Sequence, residues 1–155
     1  MLAFLATVCT AAVAIEIVQN WDKIMLSLRT IIALSSNLID YCSRYDSRIE
    51  ACRTKLLRWK YDVANRISSH VVFVAFTEEE EDSLETILKE LSTIAQSVKD
   101  AWTRSAKEKK RLTDEIETLR QKVHEFMSHY STSGDNEQKK SFMKHLNETF
   151  SPLEK

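Results

Sequence analysis

The chain has 155 residues, enough for one domain with a single hydrophobic core, and its only glycine and only proline, Gly134 and Pro152, lie near its end. Tight turns between strands and phosphate-binding loops depend on these residue types, so the composition argues against both. It predicts an all-α bundle of five or six helices within a single domain, residues 1–155. The net charge of −1 gives no reason to expect nucleic acid as a partner.

The first helix is predicted over residues 1–20 and is hydrophobic almost throughout. Between Leu2 and Ile15 only two threonines are not apolar, and the run resumes after Glu16 with two more apolar residues. As a helix, the stretch Leu2–Val18 would be about 25 Å long, slightly shorter than the hydrocarbon core of a bilayer. Because it offers no polar face to water, we expect it to be buried in a core, inserted in a membrane or removed by processing.

Removal would make this a secreted helical binding protein, and two sequence features favour that alternative. Ala12–Ala14 matches a signal-peptidase site, and Asn147–Thr149 is a glycosylation sequon. Against it, no Lys or Arg precedes the apolar run. The three cysteines, an odd number, predict reduced thiols in an intracellular protein rather than a disulfide framework.

Residues 22–130 carry the helical periodicity expected of the bundle core. In the second helix, apolar residues return every three or four positions from Ile24 to Cys42, and Met25, Leu26 and Leu34 widen the stripe. Asp46 is expected to cap the third helix, and Ser68–His70 to end it. The stripe of the third helix comprises Ile49, Cys52, Leu56, Trp59, Val63 and Ile67.

The connection Val71–Phe76 breaks this period and is predicted to be a buried hydrophobic segment. Thr77 and Glu80 then form a capping box for the fourth helix, whose apolar stripe runs from Leu84 to Ala101 and Trp102. Residues 103–111 are polar without a helix breaker, which leaves open an extended helix or a kinked connection. A seam of coiled-coil spacing follows, at Leu112, Ile116, Leu119, Val123 and Phe126.

Beyond the core, the sequence predicts a loop at Ser131–Glu137 and a short last helix over residues 138–150, ended by Pro152. The charges alternate in sign along the chain. Residues 46–70 carry six bases and three acids, whereas residues 77–100 carry eight acids and two bases. Either helices of opposite net charge pack side by side, or these charged residues merely form solvated helix faces.

No constellation of catalytic or metal-ligating residues stands out, so we expect neither an enzyme nor a cofactor or metal site. The four histidines are scattered along the chain. A basic cluster, which consists of Lys107, Lys109, Lys110 and Arg111, is a candidate for binding anionic lipid headgroups. A solvated helix face is the alternative for these residues.

The segment Tyr45–Trp59, YDSRIEACRTKLLRW, is a basic amphipathic helix that ends in a Leu-x-Arg-Trp-like sequence. It resembles the corresponding segment of fungal HeLo domains, the family of the HET-s-type proteins. The acidic start of the helix at 78–102 and the closing Phe150–Pro152 are similar too. The related HeLo-like and MLKL-like four-helix bundles share the general architecture.

This resemblance implies a cell-death executioner that is cytoplasmic at rest and acts at the plasma membrane. A regulatory region, often amyloid-forming or nucleotide-binding, would drive self-association, and the N-terminal helix would then insert into lipid and permeabilise the membrane. The expected partners are anionic membrane lipids, further copies of the chain and such an upstream region. The residues expected to insert are Leu2, Ala3, Phe4, Leu5, Val8, Ala11, Ala12, Val13, Ile15, Glu16, Ile17 and Val18.

Glu16 is the one charge in this segment, and it would oppose deep insertion by roughly 2.5–3.5 kcal/mol. In an oligomer it would instead face an aqueous pore. The alternative function is a non-enzymatic helical module for protein interaction or oligomerisation, in which the first helix stays buried.

Overall fold

The computed structural model describes Lys23 and residues 25–70, 76–101, 106–129 and 136–154, and the prediction of an all-α fold is confirmed. The described part contains five α-helices and a closing 3-10 turn. They are α1 (residues 25–42), α2 (Arg48–Ser69), α3 (Glu78–Ala101), α4 (Ala106–His129), α5 (Asn136–Phe150) and the turn Ser151–Glu154. The helix predicted over residues 1–20, Val71 to residue 75 of the connector, and Trp102 lie outside the described residues.

Helices α1 to α4 are antiparallel to their neighbours in sequence, and α4 returns to the side of α1. The side-chain contacts that establish this order are Asp40–Arg53, Lys55–Glu90, Ser92–Arg120 and Tyr41–Arg111. Helix α5 packs on α2 and reaches α1, where Glu148 pairs with Arg29. It lies at the end of the bundle where α1 begins.

The buried apolar side chains form one cluster, and the predicted stripes supply most of it. All six stripe residues of α2 are at most 3% exposed, and the five seam residues of α4 are at most 9% exposed. Two predictions are wrong. Leu26 is 66% exposed because it follows the buried Met25 and is therefore rotated about 100° off the stripe. Ala101, the last residue of α3, is also exposed.

Helix α2 begins beside the predicted capping residue. The backbone N–H of Arg48 donates to Asp46 Oδ1 at 3.0 Å, although Ser47 occupies the N-cap position and makes no side-chain cap. Hydrogen bonds from the Arg48 guanidinium hold the pKa of the Asp46 carboxyl below its usual value. Helix α2 ends at Ser69 and His70 is extended, as predicted.

The predicted capping box at the start of α3 is confirmed in both directions. The N–H of Thr77 donates to Glu80 Oε1 at 2.8 Å, and the N–H of Glu80 donates to Thr77 Oγ1 at 3.1 Å. Glu80 also pairs with Arg66 at 2.7 Å, and its carbonyl accepts from Trp59 Nε1 at 2.7 Å. The acidic start of α3 is therefore fixed against the basic helix α2.

Of the polar stretch 103–111, the structure describes residues 106–111, which belong to α4. Helix α3 ends at Ala101, and α4 begins at Ala106 and runs the other way. The last helix begins at Asn136, two residues earlier than predicted, so the end of the predicted loop is helical. Glu137 lies in its first turn, where the helix dipole favours a carboxylate. The helix stops at Phe150, and Pro152 lies in the 3-10 turn.

Candidate functional site

The predicted membrane-inserting segment lies outside the described residues, but the structure shows which end of the bundle it joins. The chain enters the described helices at the start of α1, where Met25 is buried. About one turn further along, Arg29 pairs with Glu148 of α5 at 3.4 Å. Both side chains are half exposed, so this pair contributes only about 0–1 kcal/mol. Helix α1 thus begins at the end of the bundle that α5 covers.

An aromatic cluster holds this end together. Phe76, the described residue of the predicted buried connector, is 4% exposed. Its ring centre lies 5.7 Å from Trp59, 5.4 Å from Phe126 and 5.6 Å from Phe142. Trp59 in turn lies 5.7 Å from Phe150. Phe76, which precedes α3, therefore contacts α2, α4 and α5, and its predicted burial is confirmed.

Two lysines attach both ends of α5 to α2. Lys139 Nζ, near the start of α5, donates to the carbonyls of His70 at 2.7 Å and Ser68 at 3.3 Å. An ammonium there complements the negative end of the α2 dipole. Lys60 is 5% exposed and pairs with Glu154 of the 3-10 turn. Sequence analysis missed this buried charge, although Lys60 follows Leu56 by four positions and so continues the apolar face of α2.

The basic cluster lies in the first turns of α4, at the opposite end of the bundle. Within the described residues, the ammonium groups of Lys107, Lys109 and Lys110 make no ion pair or hydrogen bond, whereas Arg111 pairs weakly with Glu115 at 3.6 Å. Cations at a helix N-terminus oppose the dipole, at a cost of about 0.3–1 kcal/mol each. A bound anion would relieve this repulsion, so the cluster is electrostatically suited to a phosphate-bearing headgroup.

The basic cluster therefore lies at the end of the bundle opposite the start of α1, whereas the predicted inserting segment lies outside the described residues. Arg111 lies over the Tyr41 ring, 5.9 Å from its centre, beside the end of α1, whereas the apolar segment joins before Met25. The helix between Met25 and Tyr41 is about 24 Å long. A single flat membrane surface would contact both the basic cluster and the predicted inserting segment only if that segment spanned this distance or the bundle rearranged.

A groove between α3 and α4, which sequence analysis missed, forms a cavity along the described helices. Its volume is about 460 Å³, and its floor consists of Leu88, Leu119, Val123 and Met127. Its rims carry Glu85, Lys89, Ser92, Thr93, Arg120 and His124. It runs for about 12 Å along both helices. The apolar stripe of one helix alone does not reveal this groove, because α3 and α4 each supply one of its walls.

Both cysteines of the described part are buried and free. Burial raises the pKa of the Cys42 thiol to about 11, and the nearby Glu115 adds to the effect. Burial likewise raises the pKa of Cys52 to about 11, with a further contribution from Glu90. The thiolate, which is the reactive form, is therefore scarce at neutral pH, so these residues act as small apolar core residues.

Among the described residues, no helix is both long and apolar enough to span a bilayer, and no group of His, Cys, Asp and Glu is arranged to hold a metal ion. The chain was compared with models of protein families, with curated proteins and with solved structures, and none of these comparisons found a match.

Proposed function

We propose that this protein permeabilises membranes: its apolar segment Leu2–Val18 inserts into lipid when copies of the chain associate. The observation that carries the proposal is the composition of that segment, which has no polar face along its length. Burying one Leu- or Phe-sized side chain contributes about 1.5–3 kcal/mol, so several of them make bilayer insertion competitive with burial in protein. The resemblance to HeLo domains points the same way.

The basic cluster supports a preference for anionic lipid. Lys107 and Lys110 are exposed, and within the described residues neither ammonium is neutralised by a partner. Each lysine near an anionic surface contributes about 1 kcal/mol to membrane attraction. The bundle would dock by this end, and the apolar segment would enter the membrane after release from the other end.

Dye leakage from vesicles that contain phosphatidylserine tests the proposal, with purely zwitterionic vesicles as the comparison. Leakage is expected with the anionic vesicles, and Lys107→Glu combined with Lys110→Glu should lower it about tenfold or more at limiting protein. The matched control is Lys140→Glu with Lys144→Glu, two exposed residues of α5. Glu16→Ala should change leakage without unfolding the bundle, because it removes the charge that opposes insertion.

Absence of leakage at every concentration, from folded protein with a free N-terminus, would refute the proposal. A second readout is the labelling of Cys9 by a thiol reagent. Membrane insertion predicts that its rate changes when vesicles are added. A rate that is slow and independent of vesicles would favour the alternative function.

That second candidate is a helical interaction module, and the groove between α3 and α4 is the observation that favours it. The volume of about 460 Å³ falls within the range of ligand and anchor-residue pockets. Its mixture of an apolar floor and polar rims is typical of surfaces that recognise helices.

A further inference from the structure

The turn between α1 and α2, residues 43–47, lies at the same end of the bundle as the basic cluster. Arg44 and Arg111 line one recess, which separates the end of α1 from the start of α4. Tyr45 lines a second recess with Val98 and Ala101, which belong to the end of α3. The turn therefore adjoins both the end of α3 and the first turns of α4. We call this surface the basic end, and it comprises residues 43–48, 97–101 and 106–111.

The basic end has an excess of positive charge. It carries seven bases and three acids, which gives a net charge of +4. The bases are Arg44, Arg48, Lys99, Lys107, Lys109, Lys110 and Arg111, and the acids are Asp46, Asp100 and Glu108. Asp46 pairs with Arg48 at 2.7 Å, and Asp100 accepts a hydrogen bond from Gln96 at 3.0 Å. The acids that flank the surface are also engaged, because Asp40 pairs with Arg53 at 2.8 Å and Glu115 with Arg111 at 3.6 Å.

Arg44 extends the basic cluster from α4 to the end of α1. Its side chain is exposed, and it makes no ion pair or hydrogen bond within the part of the chain that the structure describes. A guanidinium presents a planar set of donors that matches the oxygens of a phosphate group. Arg44 is therefore suited to bind a lipid phosphate next to the lysines at the start of α4.

An exposed aromatic side chain follows Arg44 directly in the chain. Tyr45 is 47% exposed, and it is the one large apolar side chain at the basic end that is exposed among the described residues. Tyrosine has an apolar ring and a polar hydroxyl, so it favours the headgroup level of a bilayer. The basic charge attracts an anionic surface, and the ring adds apolar contact once the surface is reached.

We propose that the basic end is a membrane-docking face, in which Tyr45 enters the headgroup layer of an anionic bilayer and Arg44 binds lipid phosphate. The inference rests on the proposed function and adds the α1–α2 turn to its lipid contact. Because the contact is confined to one end of the bundle, helices α1 to α4 stand upright on the membrane instead of lying along it.

The test places a polarity-sensitive dye, nitrobenzoxadiazole, on the whole chain in a Cys9→Ala background. Tyr45→Cys carries the dye at the proposed contact, and Ser83→Cys carries it on an exposed site near the start of α3, at the opposite end. Cys42 and Cys52 are buried, so the reagent labels the introduced thiol. Vesicles that contain phosphatidylserine should brighten the dye at residue 45 and shift its emission to shorter wavelength. The dye at residue 83 should not respond, and neither dye should respond to zwitterionic vesicles.

Co-sedimentation with the same vesicles is the second readout. Arg44→Gln should lower the partition coefficient about fivefold, the contribution of one base near an anionic surface. The matched control is Arg58→Gln. Arg58 is an exposed residue of α2 that likewise has no ion pair or hydrogen bond within the described helices, and its loss should change the coefficient by less than about twofold.

Four results would overturn the proposal: protein that does not sediment with anionic vesicles, a silent dye at residue 45 on bound protein, equal responses at residues 45 and 83, or equal effects of the two arginine variants. The same spectral shift with heparin in place of vesicles would also overturn it, because the partner would then be a soluble polyanion. Leakage with a silent dye at residue 45 would remove the docking face and leave the proposed function standing. A response at residue 45 without leakage would do the reverse.

Discussion

Truncation of Phe76 is the sharpest test of how this bundle is held together. The residue precedes α3, yet its ring stacks on Trp59 and meets Phe126 and Phe142 edge-on, at centre distances of 5.4–5.7 Å. Phe76→Ala removes all three contacts and leaves a cavity among α2, α4 and α5. Loss of a buried phenylalanine costs about 3–5 kcal/mol. That is a large part of the roughly 5–15 kcal/mol that stabilises a domain.

The assay is unfolding in urea, followed by circular dichroism and by tryptophan fluorescence. We expect Phe76→Ala to lower the free energy of unfolding by about 3–5 kcal/mol, and Phe76→Leu to lower it by less because it fills part of the cavity. The control is Leu26→Ala, since Leu26 is 66% exposed and its truncation should change stability by about 0.5 kcal/mol or less. A loss below about 1 kcal/mol for Phe76→Ala would refute this account of the aromatic cluster.

Two further predictions concern the start of α3 and the buried thiols. Thr77→Ala leaves the Glu80 N–H without its acceptor and should lower the free energy of unfolding in urea by about 0.5–2 kcal/mol. The control is Ser83→Ala on the exposed face of α3. Equal stability of the two variants would contradict the capping box. The pKa values of Cys42 and Cys52 are raised to about 11 in the folded chain, so the unfolded chain releases these protons first as pH rises above 9.0. Stability should therefore fall between pH 9.0 and about 11. Cys52→Ala should make that fall shallower, and an unchanged slope would contradict the assignment.

Local signals in the sequence predicted much of the fold. Helical periodicity identified the buried faces of α2 and α4, because an amphipathic helix must bury its apolar stripe wherever it packs. The capping box at Thr77 was predictable for a similar reason, since both partners lie within four residues of each other. The burial of Phe76 followed from the apolar character of its segment.

Contacts between residues distant in sequence were not predictable in this way. Lys139 donates to carbonyls about seventy positions earlier, and nothing in the sequence of α5 indicates an acceptor. The pairing of Lys60 with Glu154 likewise depends on where the 3-10 turn docks. The groove between α3 and α4 required knowledge of which helices are neighbours. The basic cluster was predicted as a group, but its separation from the start of α1 was not.

The way α5 is attached has a consequence for how the bundle opens. Lys139 joins its first turns to the end of α2, and Glu154 joins the residues just beyond it to Lys60. Between them, Phe142 and Phe150 are fully buried. Because the helix is anchored at both ends and in the middle, it should detach as one cooperative unit instead of fraying from a free terminus. Amide hydrogen exchange along α5 would then report a single opening event, and that event would also expose the end of the bundle where α1 begins.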